Sequence, residues 1–176
     1  DIRDQAKLAI RDEYIFDFLE CAESYNEREL ERAIIGKVES FLREMGGRFA
    51  FMGSQYRIEL DDEEYFIDLL LYHRALKCLV AVELKNGDFR PEHIGKMQFY
   101  LAVLDDRVRM PDENPSIGMI LCMSKKRSTV EYALRESNKP IGVATWRVVK
   151  RLPDKLRGEL PDPKEIERLI DGIVGE

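Results

Sequence analysis

The stretch YFIDLLLYHRALKCLVAVELK, Tyr65 to Lys85, decides the fold. Two apolar runs, Tyr65 to His73 and Leu79 to Leu84, flank a short polar break, and both are rich in branched and aromatic residues. Runs of that length bounded by polar breaks read as strands, and a tight connection makes neighbours antiparallel. Each run carries one acid: Asp68 in Phe66-Ile67-Asp68-Leu69-Leu70-Leu71, and Glu83 in Val80-Ala81-Val82-Glu83-Leu84-Lys85. A strand that buries its neighbours tends to bury these too, and an unpartnered buried carboxylate is costly. Each acid therefore needs an arginine or lysine, hydrogen-bond donors, or a metal. Two adjacent strands joined by a tight turn let the two side chains converge at one point of the sheet.

Upstream, Arg48 to Leu60 reads as a strand with an irregular middle at Gly53-Ser54, and Asp61-Asp62-Glu63-Glu64 as the polar turn of a hairpin. Before it, Asn26 is an N-cap with Glu29 as its capping-box partner. Leu30, Ile34, Val38, Phe41 and Met45 recur at helical spacing up to Gly46-Gly47, which predicts one helix over 26–45. Asp1 to Glu23 reads as one or two helices with an aromatic patch of Tyr14, Phe16, Phe18 and Leu19. It is expected to form an appendage, 1–24, packing on a main domain, 25–176. The start at Asp1, without methionine, is what a piece of a longer chain would show.

Downstream, Leu79 to Leu84 is apolar until Glu83, as a central strand covered on both faces would be. Asn86-Gly87-Asp88 breaks it and Pro91 opens a helix over 91–106, marked by Ile94, Met97, Leu101 and Leu104. A strand at Ile117 to Met123 follows, parallel to its predecessor because a crossover helix separates them. A helix over 127–136, a strand at Gly142 to Val149 and a short helix from Pro163 complete the chain. The expected fold class is α/β, a mixed β-sheet with an antiparallel start, flanked by helices.

The 176 residues are 44% hydrophobic and 35% charged, the composition of a soluble globular protein. The longest apolar runs are far too short to cross a bilayer, so no membrane is expected. Cys21, Cys78 and Cys122 are an odd, scattered set, which argues for free thiols and a cytoplasmic location. Without a CxxC pair or a cysteine–histidine cluster, a structural zinc site is not expected. His73 and His93 read as strand-end or surface residues.

Net charge is −6, which taken whole argues against nucleic acid. Its distribution is uneven: −8 over residues 1–64, −1 over 65–123, +7 over 124–158 and −4 over 159–176. The basic stretch reads either as an anion-binding face or as a solvated helix and loops.

Lys85 follows Glu83 by two positions, so the two point to one face of the strand. Two carboxylates with a lysine beside them form a hard-oxygen cation site suited to Mg²⁺, which would lower the pKa of water and stabilise charge on a phosphodiester. Lys85 would position or deprotonate that water, or neutralise phosphate charge. The acid-x-lysine triplet alone is weak, since 34 acids and 11 lysines produce about two matches by chance. The other match, Asp162 to Lys164, reads as a helix cap. Only Glu83–Lys85 closes an apolar strand with a second acid upstream. A structural ion pair is the competing reading of the same residues.

Ile67-Asp68 followed by Val82-Glu83-Leu84-Lys85 resembles the bipartite motif of the PD-(D/E)xK nuclease superfamily. The closer resemblance, to its YhcG-like branch, extends over almost the whole chain. It includes Leu30-Glu31-Arg32-Ala33-Ile34, Gly53-Ser54-Gln55-Tyr56-Arg57, Gly95-Lys96-Met97-Gln98-Phe99-Tyr100, Asn114-Pro115-Ser116-Ile117-Gly118 and Ser137-Asn138-Lys139-Pro140-Ile141-Gly142. The resemblance implies a restriction-endonuclease-like core and a Mg²⁺-dependent nuclease (Mn²⁺ substituting) acting on DNA. Asp68 and Glu83 would be metal ligands, with the backbone carbonyl of Leu84 a third, and Lys85 the catalytic lysine. Glu31 would be the acid that such proteins often place on the first helix, with Glu29 and Glu39 as rivals. Lys96 and Tyr100 would bind substrate at an i, i+4 spacing where relatives often carry glutamine and tyrosine, while Gln98 points away. Ile67 replaces the motif's proline, which shapes a turn and binds no metal. Family members usually carry a further N-terminal domain thought to bind DNA, which this reading expects to lie outside the present sequence.

Gln55 and Arg57, read as period-two neighbours on the hairpin, are candidates to contact the scissile strand or to serve structure. Lys125, Lys126, Arg127, Arg147, Lys150 and Arg151 are candidates for flanking phosphates, contacts that carry affinity without sequence preference. Two alternatives remain at this level: a catalytically inactive nucleic-acid-binding module keeping the fold, and an interaction module that docks a partner or forms a homodimer through the Tyr14 to Leu19 patch.

Overall fold

A computed structural model describes residues 4–19 and 25–148. Its elements are α1 (Asp4–Ala9), β1 (Glu13–Ile15), α2 (Glu27–Gly36), α3 (Val38–Met45), β2 (Phe49–Leu60), β3 (Glu63–His73), β4 (Cys78–Leu84), α4 (Glu92–Arg107), β5 (Asn114–Cys122), α5 (Arg127–Arg135) and β6 (Ile141–Arg147). One six-stranded sheet runs in the order β1-β6-β5-β4-β3-β2. The β2–β3 and β3–β4 pairs are antiparallel, while β4–β5, β5–β6 and β6–β1 are parallel. This is the expected mixed sheet with an antiparallel start.

Each face of the sheet carries its own apolar layer. Leu30 and Ile34 of α2 and Phe41 and Met45 of α3 pack against Leu69, Leu71, Val80, Val82 and Leu84. On the other face, Ile94, Met97, Leu101 and Leu104 of α4 pack against Leu70, Ala81 and Ile120. β4 is buried at every position, as its apolar composition requires. Where α4 crosses β5, a Cβ added at Gly118 would stand 2.5 Å from Met97 Cγ. The helix sits that close only because glycine occupies Gly118.

Two expectations need correction, and one alternative does not hold. The helix expected over 26–45 is two helices. Asn26 caps the first, accepting from the Glu29 N–H at 2.8 Å. Lys37 then leaves helical backbone at φ −131°, ψ 44°, just after Gly36, the residue that holds helix least well. Its side chain reaches away to donate to the Phe18 carbonyl at 2.9 Å. Second, residues 13–15 form a strand, not helix, and β1 joins the sheet beside β6. Tyr14, Phe16, Phe18 and Leu19 pack into the core as expected, so it is the alternative of a docking patch that does not hold. All four are buried, and Phe16 stacks on Trp146 with centroids 5.9 Å apart. A partner or second copy therefore finds no docking face there. The short helix expected from Pro163 lies outside the described residues, as do Cys21, Lys150 and Arg151. No helix among the described residues is long and apolar enough to cross a membrane.

The β2–β3 hairpin explains the irregular middle of β2. Asp61 and Asp62 both hold positive φ, 49° and 66°, in a two-residue turn between paired Leu60 and Glu63, the primed geometry that twisted hairpins favour. The pairing slips between Phe51 and Gly53, leaving Met52 as the extra residue of a bulge. Gln55, just beyond, has φ 44°.

Candidate functional site

Leu69 pairs with Val82 at the last rung of the β3–β4 ladder, which places Asp68 and Glu83 opposite each other where the strands part. The next backbone bond is replaced by a side chain: the Leu84 N–H donates to Asp68 Oδ2 at 2.8 Å. Asp68 is thus held in place by the backbone of the strand that carries Glu83.

Glu83 is only 3% exposed. Its Oε2 faces Lys96 Nζ at 3.5 Å, and its Oε1 is buried with no hydrogen-bond partner. Burial first, and the Asp68 charge second, push the Glu83 carboxyl up to about 7, against the pull of Lys96 and Lys85. A buried polar atom with no donor is a costly exception in a folded protein. A positive charge placed there would offset what opposes ionisation, the lack of solvation and a second carboxylate.

Glu31 comes to the same place from α2. It is 7% exposed, and burial raises its carboxyl more than its hydrogen bond from Gln55 lowers it, with Asp68 adding to the rise. Gln55 Nε2 donates to Glu31 Oε2 at 2.6 Å and to Asp68 Oδ1 at 3.3 Å, so one amide spans acids on two elements. Of the three helix acids weighed from sequence, Glu31 is the one turned toward the sheet, whereas exposed Glu39 pairs with Arg43.

Lys85 leaves the end of β4 beside these carboxylates, with a side chain 16% exposed and Nζ 3.8 Å from Glu27 Oε2. Its backbone is pinned on both sides. Its N–H donates to the Leu121 carbonyl at 2.8 Å, and its carbonyl accepts from Trp146 Nε1 at 3.0 Å. Lys96 stands over the Tyr100 ring, 5.6 Å from its centroid. Burial pulls the Lys96 ammonium down, but Glu83, Tyr100 and Asp68 together outweigh it and hold it charged. Tyr100 is buried and gives its hydroxyl hydrogen to the Phe66 carbonyl at 3.2 Å, which fastens α4 to β3.

Glu31, Gln55, Asp68, Glu83, Lys85 and Lys96 therefore gather at one end of the sheet. Arg57 does not join them. The left-handed backbone at Gln55 breaks the strand alternation, and Arg57 pairs with Glu59 and Glu64 on the exposed hairpin. Lys125 is held by Asp12 and the Val143 carbonyl, Arg127 by Glu131, and Arg147 by Glu13. A groove of about 860 Å³ between α1, α5 and β6 is lined by Ile10, Leu134 and Val143 and includes none of the gathered residues. Glu27 and Trp146 are the members that sequence reasoning missed. Glu27 was signalled by its spacing of one turn before Glu31. Trp146 had no signal beyond being the single tryptophan of the chain.

The donor set suits a hard divalent cation: two carboxylates converge, and one buried oxygen lacks a hydrogen-bond partner. Among the described residues no group of three or more His, Cys, Asp or Glu side chains is gathered as a metal cluster. A cation here would rest on Asp68 and Glu83, with a backbone carbonyl and water completing its shell, which Mg²⁺ accepts.

Residues 7–161 match the family model described as YhcG PDDEXK nuclease domain. A curated relative, "Putative nuclease YhcG" of Escherichia coli (strain K12), is 40% identical over 149 residues, which are 85% of this chain and 39% of that protein. The chain thus spans about two fifths of the curated relative's length. Two solved structures overlap it in part. The crystal structure of a repair endonuclease from Pyrococcus abyssi has a TM-score of 0.46 at 16% identity, over 72% of this chain and 48% of that one. The structure of an EndoMS–dsDNA complex has a TM-score of 0.49 at 15% identity, over 78% and 49%.

Proposed function

The chain belongs to the YhcG PDDEXK nuclease domain family, and from that premise we propose that it hydrolyses phosphodiester bonds in DNA with Mg²⁺ as cofactor and Mn²⁺ as a substitute. The observation that carries this reading is the juxtaposition of Asp68 and Glu83 just beyond the last β3–β4 rung, with the buried Glu83 Oε1 lacking a donor.

Asp68, Glu83 and the Leu84 carbonyl would hold the cation. When bound, it supplies Lewis-acid charge to a phosphodiester and makes nearby water more acidic. Lys85 leaves the same end of β4 on a backbone fixed by Leu121 and Trp146, where its ammonium would orient the attacking water and neutralise the phosphate. Glu31 tunes the centre through Gln55. Lys96 balances Glu83 and, being half-exposed, also meets a substrate phosphate. Gln55 lies on the substrate side, whereas Arg57 and Tyr100 serve the hairpin and the α4–β3 junction. The buried, unpaired thiols of Cys78 and Cys122 agree with a cytoplasmic setting.

The acidic net charge and the ion pairs already made by Lys125, Arg127 and Arg147 mean that this segment alone grips DNA weakly. Cleavage of plasmid and linear DNA in Mg²⁺ tests the assignment. Asp68→Ala and Lys85→Ala should each abolish cleavage while circular dichroism stays that of the wild type. Equal cleavage by all three proteins overturns it in favour of an inactive nucleic-acid-binding module.

A further inference from the structure

Gln55 holds a backbone conformation that residues other than glycine seldom adopt, φ 44° within a strand. Such a conformation persists only where its surroundings over-determine it, and it concentrates at working sites. The surroundings here are specific. The Met52 bulge shifts β2, and the amide of Gln55 turns inward to place Nε2 2.6 Å from Glu31 Oε2 and 3.3 Å from Asp68 Oδ1. One neutral NH₂ group thus offers hydrogens to two carboxylates that would otherwise repel each other. Lys96 performs the same service for Glu83 Oε2, and the Leu84 N–H for Asp68 Oδ2. Glu31 Oε2, both Asp68 oxygens and Glu83 Oε2 are each met by a donor, while Glu83 Oε1 is not.

We propose that Gln55 is the protein's own stand-in for the cation: its amide holds Glu31 to Asp68 in the metal-free state and must let go of Asp68 before a metal is bound. The inference rests on the metal-site reading above and deepens it, because it makes Gln55 a positioning residue that sets the metal affinity of the centre. Gln55 is exposed on its outer side, so the amide can swing out without opening the core. Each charge-assisted hydrogen bond given up on loading counts against the metal.

Calorimetric titration of the full chain with Mn²⁺ tests this, alongside thermal melts in EDTA. Gln55→Ala should bind Mn²⁺ about tenfold more tightly than wild type, equivalent to about 1.4 kcal/mol, and should melt at a lower temperature in EDTA. Gln55→Gly should gain the same affinity and recover part of the lost melting temperature, because φ 44° costs glycine nothing. Saturating Mn²⁺ should close the gap in melting temperature. Wild type that takes up Mn²⁺, with both variants equal to it or weaker, overturns the stand-in role alone. No uptake of Mn²⁺ by wild type overturns the metal-site reading and this inference together.

Discussion

Glu83→Gln should make the metal-free protein more stable at pH 8 while removing its capacity for metal. The carboxyl is 3% exposed, and burial followed by the Asp68 charge moves it from an ordinary 4.5 to about 7. A raised folded pKa means that the protonated form suits the fold. The stability it contributes is complete below pH 4.5 and is lost as pH rises through 7. At about 1.4 kcal/mol for each pH unit, the ionised side chain costs about 3 kcal/mol above pH 7. Glutamine removes that charge but brings amide hydrogens that Lys96 cannot accept, a loss of about 1–2 kcal/mol. The net gain is about 1–2 kcal/mol at pH 8, or about 2–8 °C for a chain of this size. Urea denaturation in EDTA, followed by fluorescence of the single, buried Trp146, reads it directly. At pH 5 the wild-type side chain is protonated, so the gain should vanish or reverse. Saturating Mg²⁺ at pH 8 should also restore the lead to wild type, the only one of the two with its site. A Glu83→Gln protein no more stable than wild type at pH 8, or equally favoured at pH 5, would show that Glu83 is not held protonated by its burial.

Two further outcomes test how the fold holds the site. Gly118→Ala places a methyl 2.5 Å from Met97 Cγ and 2.8 Å from its Sδ. It should cost about 1–2 kcal/mol in urea denaturation, and trimming Met97 to alanine in the same protein should remove that clash. Tyr100→Phe frees the Phe66 carbonyl and should cost about 1 kcal/mol, with DNA cleavage kept within a few-fold. A tenfold loss of cleavage at unchanged stability would return the hydroxyl to the substrate.

What was legible in the sequence follows from how much physics each residue carries alone. An acid inside an apolar run is costly wherever the run lies, so the residue order by itself gives Asp68 and Glu83 a shared need. The hairpin, the crossover helix α4 and the Asn26 cap were legible for the same reason, since each rests on local turn or cap chemistry. The break at Lys37 was not, because a single glycine in a helical run is usually tolerated. β1 was hidden by its length: three residues carry too little alternation to separate a strand from a helical patch. Gln55 and Arg57 were paired by a period of two that holds only on regular backbone. The bulge at Met52 and the left-handed turn at Gln55 cancel it, and both depend on packing across the hairpin. The Glu27–Lys85 ion pair and the Trp146–Lys85 bond join elements far apart in the chain, and no local pattern reports such contacts.

Everything proposed for the site depends on Asp68 and Glu83 holding a divalent cation at the splayed end of β3 and β4. A crystal of the protein soaked in Mn²⁺ and measured for anomalous scattering tests it most directly. One strong peak is expected between Asp68, Glu83 and the Leu84 carbonyl, with the Gln55 amide moved away from Asp68. A peak elsewhere, or none at millimolar Mn²⁺ with both carboxylates in their metal-free positions, would contradict it.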